Sequence, residues 1–549
     1  MINKLLALLL ITFFACNLLH AQEDSLGAYT SKAYGLYNKK DYCNALYWYE
    51  KCFTIRKVNY SLYQASVCAC QCGQPEKALQ YFKEFMEHGG DFYNYEFFAN
   101  DTATSCIRNT DTWKNSIASL KVKYDSVQAE FKRFQAAIND TTRRINHSLL
   151  TDTTYWQQQA TQKKLPALLQ SIRSFNSYPK PPVTDHWTLY HIKVNDTLNV
   201  PFLVYIPRKY DPTKKTPLYL YLHGAAGNRQ AFSTEGNTPE FEKEVLKEQL
   251  QQQAFVIYAF ARKDINWLYH QQAFETLIKE ISFVKSLYNI DDNKVYVSGH
   301  SDGGRGTFWL TLNKPTTFAA ALGICYYPGL INFNTPLGNL GNQVPFYGIS
   351  ATDDGIFKNT TVNEIYQYAL QNGANWKNYT ITGGHGLPYS SPDSLHFIYD
   401  TLQHRTRSPF PAAIQWQTDN IANGRYYWIS IDVLDTAAQP ASWQPVLNPP
   451  VTKDGKTVKA NYNVRRSGFI KAAIKNNIVN IEASCVKQLS FYVYPEMVDL
   501  NKPVQFYINN KLVSTKKINP DKNLLVQEFI STKDRQLLPV AKIILPVEL

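Results

Sequence analysis

One short stretch carries the residues best suited to nucleophilic chemistry. Residues 299–303 read GHSDG, so Ser301 stands between two glycines, after the apolar β-type run 295–297 and before a helix-compatible segment. A serine on a sharp strand-to-helix turn needs neighbours without side chains if its hydroxyl is to stand clear of the sheet. The N–H of Asp302 would then point at a substrate oxygen from the start of the helix. The five-residue pattern is too short to identify a catalytic serine by itself. Its interpretation depends on three further features of the sequence.

These three pieces follow an order that could complete a site. The apolar run 217–222 ends in residues 223–227 (HGAAG), whose flexible backbone offers N–H groups to a carbonyl oxygen. Asp353 and Asp354 follow a later strand-like run, and His385 lies in a glycine-rich loop after the next one. A histidine in such a loop is scarcely a core residue. Serine, acid and histidine therefore come in that chain order, each after a predicted strand.

A sheet must position these residues. The alternating segment 187–206 is centred on Asn195-Asp196 and predicts a β-hairpin. Apolar strand-like runs follow it, separated mostly by helical segments, as a parallel α/β sheet requires: 217–222, 255–260, 295–298, 319–324, 344–350 and 376–381. The sequence therefore predicts a doubly wound, mostly parallel sheet within a domain of residues 186–406.

This span resembles the α/β-hydrolases, and within them the secreted esterases of the feruloyl, acetyl-xylan and polyhydroxyalkanoate-depolymerase-like groups. The order serine, aspartate, histidine is that of this fold. The resemblance covers under half of the 549 residues. It implies acyl transfer through a covalent ester on Ser301, with His385 as general base and an aspartate orienting it.

The resemblance also implies an oxyanion hole and an acid. The N–H of Asp302, together with that of Ala225 or Ala226, would bind the oxyanion. Counting nine positions from the proline that opens the acid's strand, as is frequent in the family, gives Asp354 rather than Asp353 as the partner of the histidine.

The remaining histidines and ligand motifs suggest no other chemistry. His223 is expected to shape its loop by hydrogen bonding, and His300 to be structural or at the surface. The HGAAG run lacks the lysine of a phosphate loop. No metal motif appears either, so we expect no cofactor.

Residues 1–21 resemble a secretory signal. Lys4 supplies the positive start, residues 5–16 form an apolar run too short to span a bilayer, and cleavage is expected after Ala21. Acylation of Cys16 in a lipoprotein is a less favoured alternative. No other segment could span a membrane. We therefore expect an exported protein, periplasmic or extracellular.

Residues 22–120 contain two similar helical blocks. Ala45 and Ala78 lie 33 positions apart, each followed four positions later by an aromatic residue. The blocks resemble tetratricopeptide repeats, with residues 92–120 as a third helical pair that caps them. Such a region is either a docking surface for a protein partner or a spacer.

The cysteines cluster in the same region. Six of the eight that remain after signal cleavage lie between Cys43 and Cys106. We expect them to be small buried residues in place of alanine or glycine, although disulfides between helices are an alternative in an oxidising compartment. A metal site is not supported by paired ligand spacing. Cys325 and Cys485 are expected to be free.

Two further regions complete the chain. Residues 121–185 predict a helical arm and linker, and residues 407–549 a β-sandwich-like accessory domain of short strands. From residue 451 onward there are 16 lysine and arginine against 8 acidic residues, which supplies +8 of the net charge of +12. This charge indicates either a polyanion-binding surface or a solvated face. No nucleic-acid-binding motif accompanies it.

The hypothesis with most support is an exported serine ester hydrolase acting on small esters or ester-decorated glycans. A serine peptidase of the prolyl-oligopeptidase type would use the same fold and residues. In a third interpretation the repeats and the β-domain bind partners and the hydrolase site is vestigial, which the intact Ser301 and His385 oppose.

Overall fold

A computed structural model describes residues 26–548 apart from 58, 89, 91–93, 233–238, 240–241, 269, 329–334, 342, 372, 446, 448–450, 454–455 and 459–465. The chain divides into two compact units, residues 1–135 and 136–549. The predicted signal segment, residues 1–21, lies outside the described residues. Among the helices that the structure describes, none is both long and apolar enough to cross a membrane.

The first unit is helical. Its helices are α1 (residues 26–38), α2 (Tyr42–Phe53), α3 (Asn59–Gln71), α4 (Pro75–Glu87), α5 (Tyr95–Asn100) and the start of α6 (Asp111–Asn139). The pair α1–α2 recurs as α3–α4 at the predicted offset, with Ala45 and Ala78 fully buried. Small residues at these positions let neighbouring helices approach closely. The assignment to tetratricopeptide repeats remains a prediction.

Four of the cysteines form disulfides, which corrects the expectation of free thiols. Cys43 bonds Cys72, and Cys70 bonds Cys106. Cys68 and Cys70 are two positions apart in α3 and point in different directions, so Cys68 faces the core while Cys70 reaches Cys106. Cys72 follows the last residue of α3 and reaches Cys43. The other described cysteines are free and buried, as expected: Cys52, Cys68, Cys325 and Cys485.

The second unit contains an eight-stranded sheet. Its strands are β1 (His186–Lys193), β2 (Asn199–Ile206), β3 (Thr216–Leu222), β4 (Phe255–Ala259), β5 (Ile290–His300), β6 (Ala320–Ile324), β7 (Phe346–Ala351) and β8 (Trp376–Ile381). The spatial order is β1-β2-β4-β3-β5-β6-β7-β8. The predicted hairpin β1–β2 is antiparallel, as is the β2–β4 pair, and the strands from β4 through β3 to β8 are parallel. The predicted mostly parallel sheet is confirmed.

Helices cover this sheet and join it to the C-terminal region. In chain order they are α7 (Thr153–Gln162), α8 (Leu165–Arg173), α9 (Lys243–Gln251), α10 (Gln271–Leu287), α11 (Asp302–Asn313), α12 (Asn359–Gln371), α13 (Leu387–Ser390), α14 (His396–Gln403) and α15 (Lys522–Thr532). Strands β3 to β7 are buried almost along their whole length. Their continuous apolar runs reflect cover on both faces.

The C-terminal region is β-rich. Its strands are β9 (Ala413–Thr418), β10 (Arg425–Tyr426), β11 (Ile429–Leu434), β12 (Val451–Lys453), β13 (Lys456–Val458), β14 (Gly468–Lys475), β15 (Ile478–Ser484), β16 (Val486–Val493), β17 (Val504–Ile508), β18 (Lys511–Lys516) and β19 (Ala541–Pro546). They form a four-stranded sheet, β10-β11-β16-β19, and a five-stranded sheet, β18-β17-β15-β14-β9, besides the hairpin β12–β13. The Phe491 and Phe506 rings, one from each large sheet, lie 5.3 Å apart in a shared core. This agrees with the predicted sandwich.

The second part of the predicted arm does not stand apart from the domains. Trp156 of α7 is buried, and its ring lies 5.0 Å from that of Phe529 in α15. Leu168 and Ile172 of α8 belong to the same hydrophobic core as the two C-terminal sheets. Helices α7 and α8 are therefore part of the C-terminal core.

Buried charges join this C-terminal region to the large sheet. Arg535 donates from Nε to Asp292 Oδ2 at 2.9 Å, and Lys285 Nζ lies 3.0 Å from Asp292 Oδ1. Arg407 donates to both carboxylate oxygens of Asp534, at 2.7 and 3.1 Å. We call these five residues the interdomain charge cluster. Because Asp292 lies in β5, the cluster ties the central strand of the sheet to the C-terminal region.

Candidate active site

A strained turn presents the serine. Ser301 has φ 57° and ψ −121°, between the end of β5 and the start of α11. A Cβ on Gly299 would lie 2.4 Å from the backbone of Gly303, and one on Gly303 would lie 1.8 Å from the carbonyl oxygen of Leu222. Neither position has room for a side chain. The packing of α11 against β3 and β5 therefore requires both glycines of the GHSDG stretch.

Three predicted side chains form a hydrogen-bonded chain. The Oγ of Ser301 lies 2.9 Å from His385 Nε2, and His385 Nδ1 lies 2.8 Å from Asp354 Oδ2. The carboxylate can only accept, so Nδ1 carries the proton and Nε2 accepts from the serine hydroxyl. The imidazole is 18 % exposed, whereas the Asp354 side chain is 1 % exposed. The histidine thus lies within hydrogen-bonding reach of both the serine and the carboxylate, the arrangement that an activated nucleophile requires.

The geometry distinguishes the two neighbouring aspartates. The second carboxylate oxygen of Asp354 accepts from the N–H groups of Ile356 and Phe357, at 2.9 and 2.8 Å. Burial tends to raise the pKa of Asp354, but the bonds from His385 and these N–H groups outweigh it and lower the pKa. Asp353 is exposed. Asp354, as predicted, is the aspartate that contacts the histidine.

The predicted oxyanion hole is met only in part. The N–H of Ala226 donates to the Asp302 carboxylate at 2.9 Å, so it does not face a substrate. Gly227 donates to the same carboxylate. Burial raises the pKa of Asp302, and these two bonds oppose that shift. Of the two alanines, Ala225, in a left-handed conformation with φ 52°, remains as the candidate donor beside the N–H of Asp302.

His223 shapes its loop, as its position suggested. It is fully buried, and its Nδ1 donates to the carbonyl oxygen of Gly224 at 2.6 Å while Nε2 accepts from Ala261 N–H at 3.3 Å. Burial, with a smaller contribution from Arg229, lowers the pKa of His223 to about 3. The ring is therefore neutral. Within the described part of the chain, no three His, Cys, Asp or Glu side chains are grouped to hold a metal ion.

His300 has a role that the sequence did not reveal. It is 5 % exposed, and its Nε2 donates to the main-chain oxygen of His385 at 2.8 Å. Its Nδ1 lies 3.5 Å from the hydroxyl of Tyr389. Burial lowers the pKa of His300 to about 4, so it too is neutral at pH 7. His300 thereby fixes the backbone that carries the base.

A buried glutamate lies behind Tyr389. Glu242 is 2 % exposed and accepts hydrogen bonds from the hydroxyls of Tyr221, Tyr258 and Tyr389. Burial raises its pKa to about 7, despite these bonds and the positive charge of Arg229. The Glu242 carboxyl therefore titrates near neutrality. The side chains of Tyr389 and His300 link it to the loop that carries His385.

An aromatic wall flanks the histidine. The Phe357 ring lies 5.3 Å from that of His385, and the Tyr327 ring stacks on Phe357 with centroids 6.1 Å apart. The Arg305 guanidinium lies 6.0 Å from the Tyr327 ring. Burial lowers the pKa of Arg305 to about 10. A flat apolar surface therefore adjoins His385, with a cation at the far side of the Tyr327 ring.

Comparison with protein families gives one match. The family model named Esterase matches residues 197–328, which include the Ser301 turn and the His223 loop but end before Asp354 and His385. No functionally curated protein matches the chain.

Solved structures with similarity to the chain include a thermostable esterase, at 20 % identity, TM-score 0.34, over 42 % of this chain and 65 % of that one. An S-formylglutathione hydrolase of Staphylococcus aureus matches at 13 % identity, TM-score 0.32, over 40 % of this chain and 98 % of its own. An acylaminoacyl peptidase of Pyrococcus horikoshii matches at 14 % identity, TM-score 0.32, over 40 % of each chain. The chain thus spans about two thirds of the first of these. The family match and the order of the sheet fit an α/β-hydrolase-like domain in this region of the chain.

Proposed function

We propose that the protein hydrolyses carboxylic esters through a covalent acyl-enzyme on Ser301. The observation that carries the proposal is the chain of hydrogen bonds from Ser301 through His385 to Asp354, at 2.9 and 2.8 Å. An ionised, buried carboxylate holds Nδ1 protonated, which leaves Nε2 as the base that faces the serine hydroxyl.

In the first half-reaction the serine oxygen attacks the ester carbonyl carbon while Nε2 of His385 takes the hydroxyl proton. The negative charge that develops on the carbonyl oxygen is stabilised by the N–H groups of Asp302 and Ala225. Collapse of the tetrahedral intermediate breaks the bond to the alcohol oxygen, which leaves with the proton from Nε2. The acyl group remains on Ser301.

In the second half-reaction water takes the place of the alcohol. His385 removes a proton from the water as its oxygen attacks the acyl carbon, and it returns that proton to Ser301 Oγ as the ester bond breaks. The products are the free acid and the regenerated serine. Asp354 stays ionised throughout, because it stabilises the imidazolium without accepting its proton.

The proposal extends to location and substrate. Residues 1–21 have the features of a secretory signal, and two disulfides fit an oxidising compartment. We therefore place the enzyme outside the cytoplasm. The aromatic wall of Phe357 and Tyr327 supports an ester with a flat or apolar group, and esters carried on polysaccharides are the substrate class we favour. The helical repeats would hold the enzyme to a protein partner.

A fluorophosphonate probe tests the nucleophile. Intact protein should be labelled at Ser301, and Ser301→Ala should lose both the label and its ester turnover, by several orders of magnitude. Ser282→Ala, at a partly buried serine of α10, serves as the matched control and should keep both. Equal labelling of the wild type and Ser301→Ala would remove the assignment.

A substrate panel separates the alternatives. Short-chain nitrophenyl esters, acetylated and feruloylated glycans, and peptide amides should be compared at equal enzyme concentration. Turnover of esters above amides supports the proposal. Preference for peptide amides would indicate a peptidase, and the absence of both labelling and turnover would indicate a vestigial site.

A further inference from the structure

A partly open cavity lies away from the serine, between α10 and the C-terminal region. Its volume is about 290 Å³, near the lower end of the ~300–1,000 Å³ typical of small-molecule sites. Ile278 and Ile281 of α10 and Leu537 supply apolar wall. Ser301, Asp354 and His385 do not line it. It is a separate compartment of the second unit.

The charges around this cavity do not balance. Four basic residues line it against two acidic ones: Lys285, Lys314, Arg407 and Arg425 against Glu528 and Asp534. Asp534 is shared between Arg407 and Lys285, and Glu528 is bound to Arg425 at 2.6 Å. Asp292 and Arg535 lie behind Lys285 and form an ion pair, so together they add no net charge. The lining therefore carries an excess of two positive charges.

Lys314 is the cation without an acid. Its ammonium donates to the main-chain oxygen of Ala422, and among the described residues no carboxylate lies within ion-pair distance of it. Burial lowers its pKa, and only the more distant Glu275 opposes that shift. A half-buried cation without an ion-pair partner is less stable than a paired one, and an anion in the cavity would supply that partner.

A second polar group in the cavity lacks a partner. Tyr427 is 1 % exposed and lines the cavity, and its hydroxyl has no hydrogen-bond partner in the described structure. Its backbone N–H lies 3.4 Å from the Thr316 hydroxyl, two residues from Lys314. The Lys314 ammonium, which has no ion pair among the described residues, and the Tyr427 hydroxyl, which has no hydrogen bond there, therefore lie in adjoining parts of the cavity wall. Both are donors, and both suit a carboxylate.

We propose that this cavity binds a small organic carboxylate. The carboxylate group is held by Lys314 and the Tyr427 hydroxyl, and a short apolar body lies against Ile278 and Ile281. The apolar wall selects such a molecule over an inorganic anion, which would leave that surface unfilled. The site is independent of the ester chemistry, since its residues are distinct from those around Ser301.

Calorimetric titration of the full chain with benzoate tests the proposal. The serine is first blocked with phenylmethylsulfonyl fluoride, so that binding at the candidate active site is excluded. We expect one saturable site, with inorganic phosphate at equal ionic strength binding at least tenfold more weakly. Lys314→Met should weaken benzoate binding at least tenfold, and Tyr427→Phe about threefold.

Two controls keep the test decisive. Lys471→Met removes an exposed lysine of β14 and should leave benzoate binding unchanged. Tyr427→Phe removes one oxygen without changing the packing, so its effect does not depend on a folding defect; circular dichroism checks the fold of every variant. Absence of binding at millimolar benzoate, equal binding by Lys314→Met, or phosphate binding as tightly as benzoate would each overturn the proposal.

Discussion

Strand β5 carries charged or reactive groups at both ends, and the two ends differ in how these groups are paired and how far they are exposed. Near its start, Asp292 is 1 % exposed and lies against Arg535 and Lys285, which are equally buried. Just beyond its end, Ser301 contacts a histidine that is 18 % exposed. The first end has its carboxylate in ion pairs with buried cations. The second leaves an imidazole partly open to solvent.

The difference shows how the surroundings of a polar group separate structure from chemistry. Asp292 and Asp354 are both buried carboxylates with two or more donors. The donors of Asp292 are a guanidinium and an ammonium, and the guanidinium joins it to the C-terminal region. The donor of Asp354 is an imidazole whose other nitrogen faces Ser301. The same residue type thus stabilises a fold in one case and, in the proposed reaction, a transient imidazolium in the other.

The largest effect on turnover is expected when Asp354, the aspartate that contacts His385, is substituted. Asp354→Asn should lower kcat by ~10⁴-fold, because an amide stabilises the wrong tautomer of His385 and no longer stabilises its charged form. Steady-state kinetics on a nitrophenyl ester measures this. Asp353→Asn is the matched control and should change kcat little. The reverse order of the two variants, both shown to be folded by circular dichroism, would reassign the acid.

Loss of a partner at the other end should affect stability and leave the chemistry intact. Arg535→Met leaves Asp292 buried with one cation fewer, and such a break typically costs about 3–5 kcal/mol. Urea unfolding measures the loss, while kcat per folded molecule should stay within a few-fold. Arg208→Met removes the exposed pair with Asp185 and should cost no more than ~1 kcal/mol. Equal losses for the two arginines would contradict the comparison.

The catalytic end also holds one buried acid without an ion pair, Glu242. Its pKa is about 7 in the folded chain against ~4.3 unfolded, so the folded state holds a proton that the unfolded state releases. Its contribution to stability is full below about pH 4 and is lost as the pH rises to about 7, by roughly 4 kcal/mol. Unfolding free energies from pH 5 to 8 should fall more steeply for the wild type than for Glu242→Gln. Parallel curves would show that Glu242 does not titrate in this range.

The smallest effect should come from the histidine that supports the base. His300→Leu removes the hydrogen bond to the His385 main chain, worth about 1 kcal/mol, and should lower kcat roughly fivefold to tenfold. His300→Gln can restore a donor and should recover part of the loss. The KM should be unchanged, because His300 does not face the substrate. A shift of KM without one of kcat would place His300 in substrate binding instead.

Local sequence predicted most of the large sheet and the residues that meet at its edge. The GHSDG stretch depends on backbone sterics, and the apolar runs depend on continuous burial. Both can be recognised from residues that are adjacent in the sequence. For the C-terminal domain the sequence predicted short strands in general, but not how they pair, because short patterns gain meaning only once they pair or pack. Helix α15 was not predicted.

What could not be predicted depended on contacts between distant residues. The sequence does not show that the Asp302 carboxylate accepts a hydrogen bond from the N–H of Ala226, since the two residues lie 76 positions apart. The disulfide partners and the packing of Trp156 onto Phe529 are likewise set by the fold. Arg407 and Arg535 appeared only as part of a basic composition, although both are buried in ion pairs.

The burial of Arg535 bears on how this protein would be degraded. Besides Asp292, its guanidinium donates to Asn289 and to the main-chain oxygens of Ile290 and Phe175. Three of these four partners lie at the start of β5 or just before it, so one side chain near the end of the chain joins the C-terminal region to the large sheet. A protease that cuts the C-terminal region before residue 535 would remove that connection while β5 stays attached to the serine. We therefore expect a single cut there to destabilise the whole second unit, although it lies far from Ser301 along the chain.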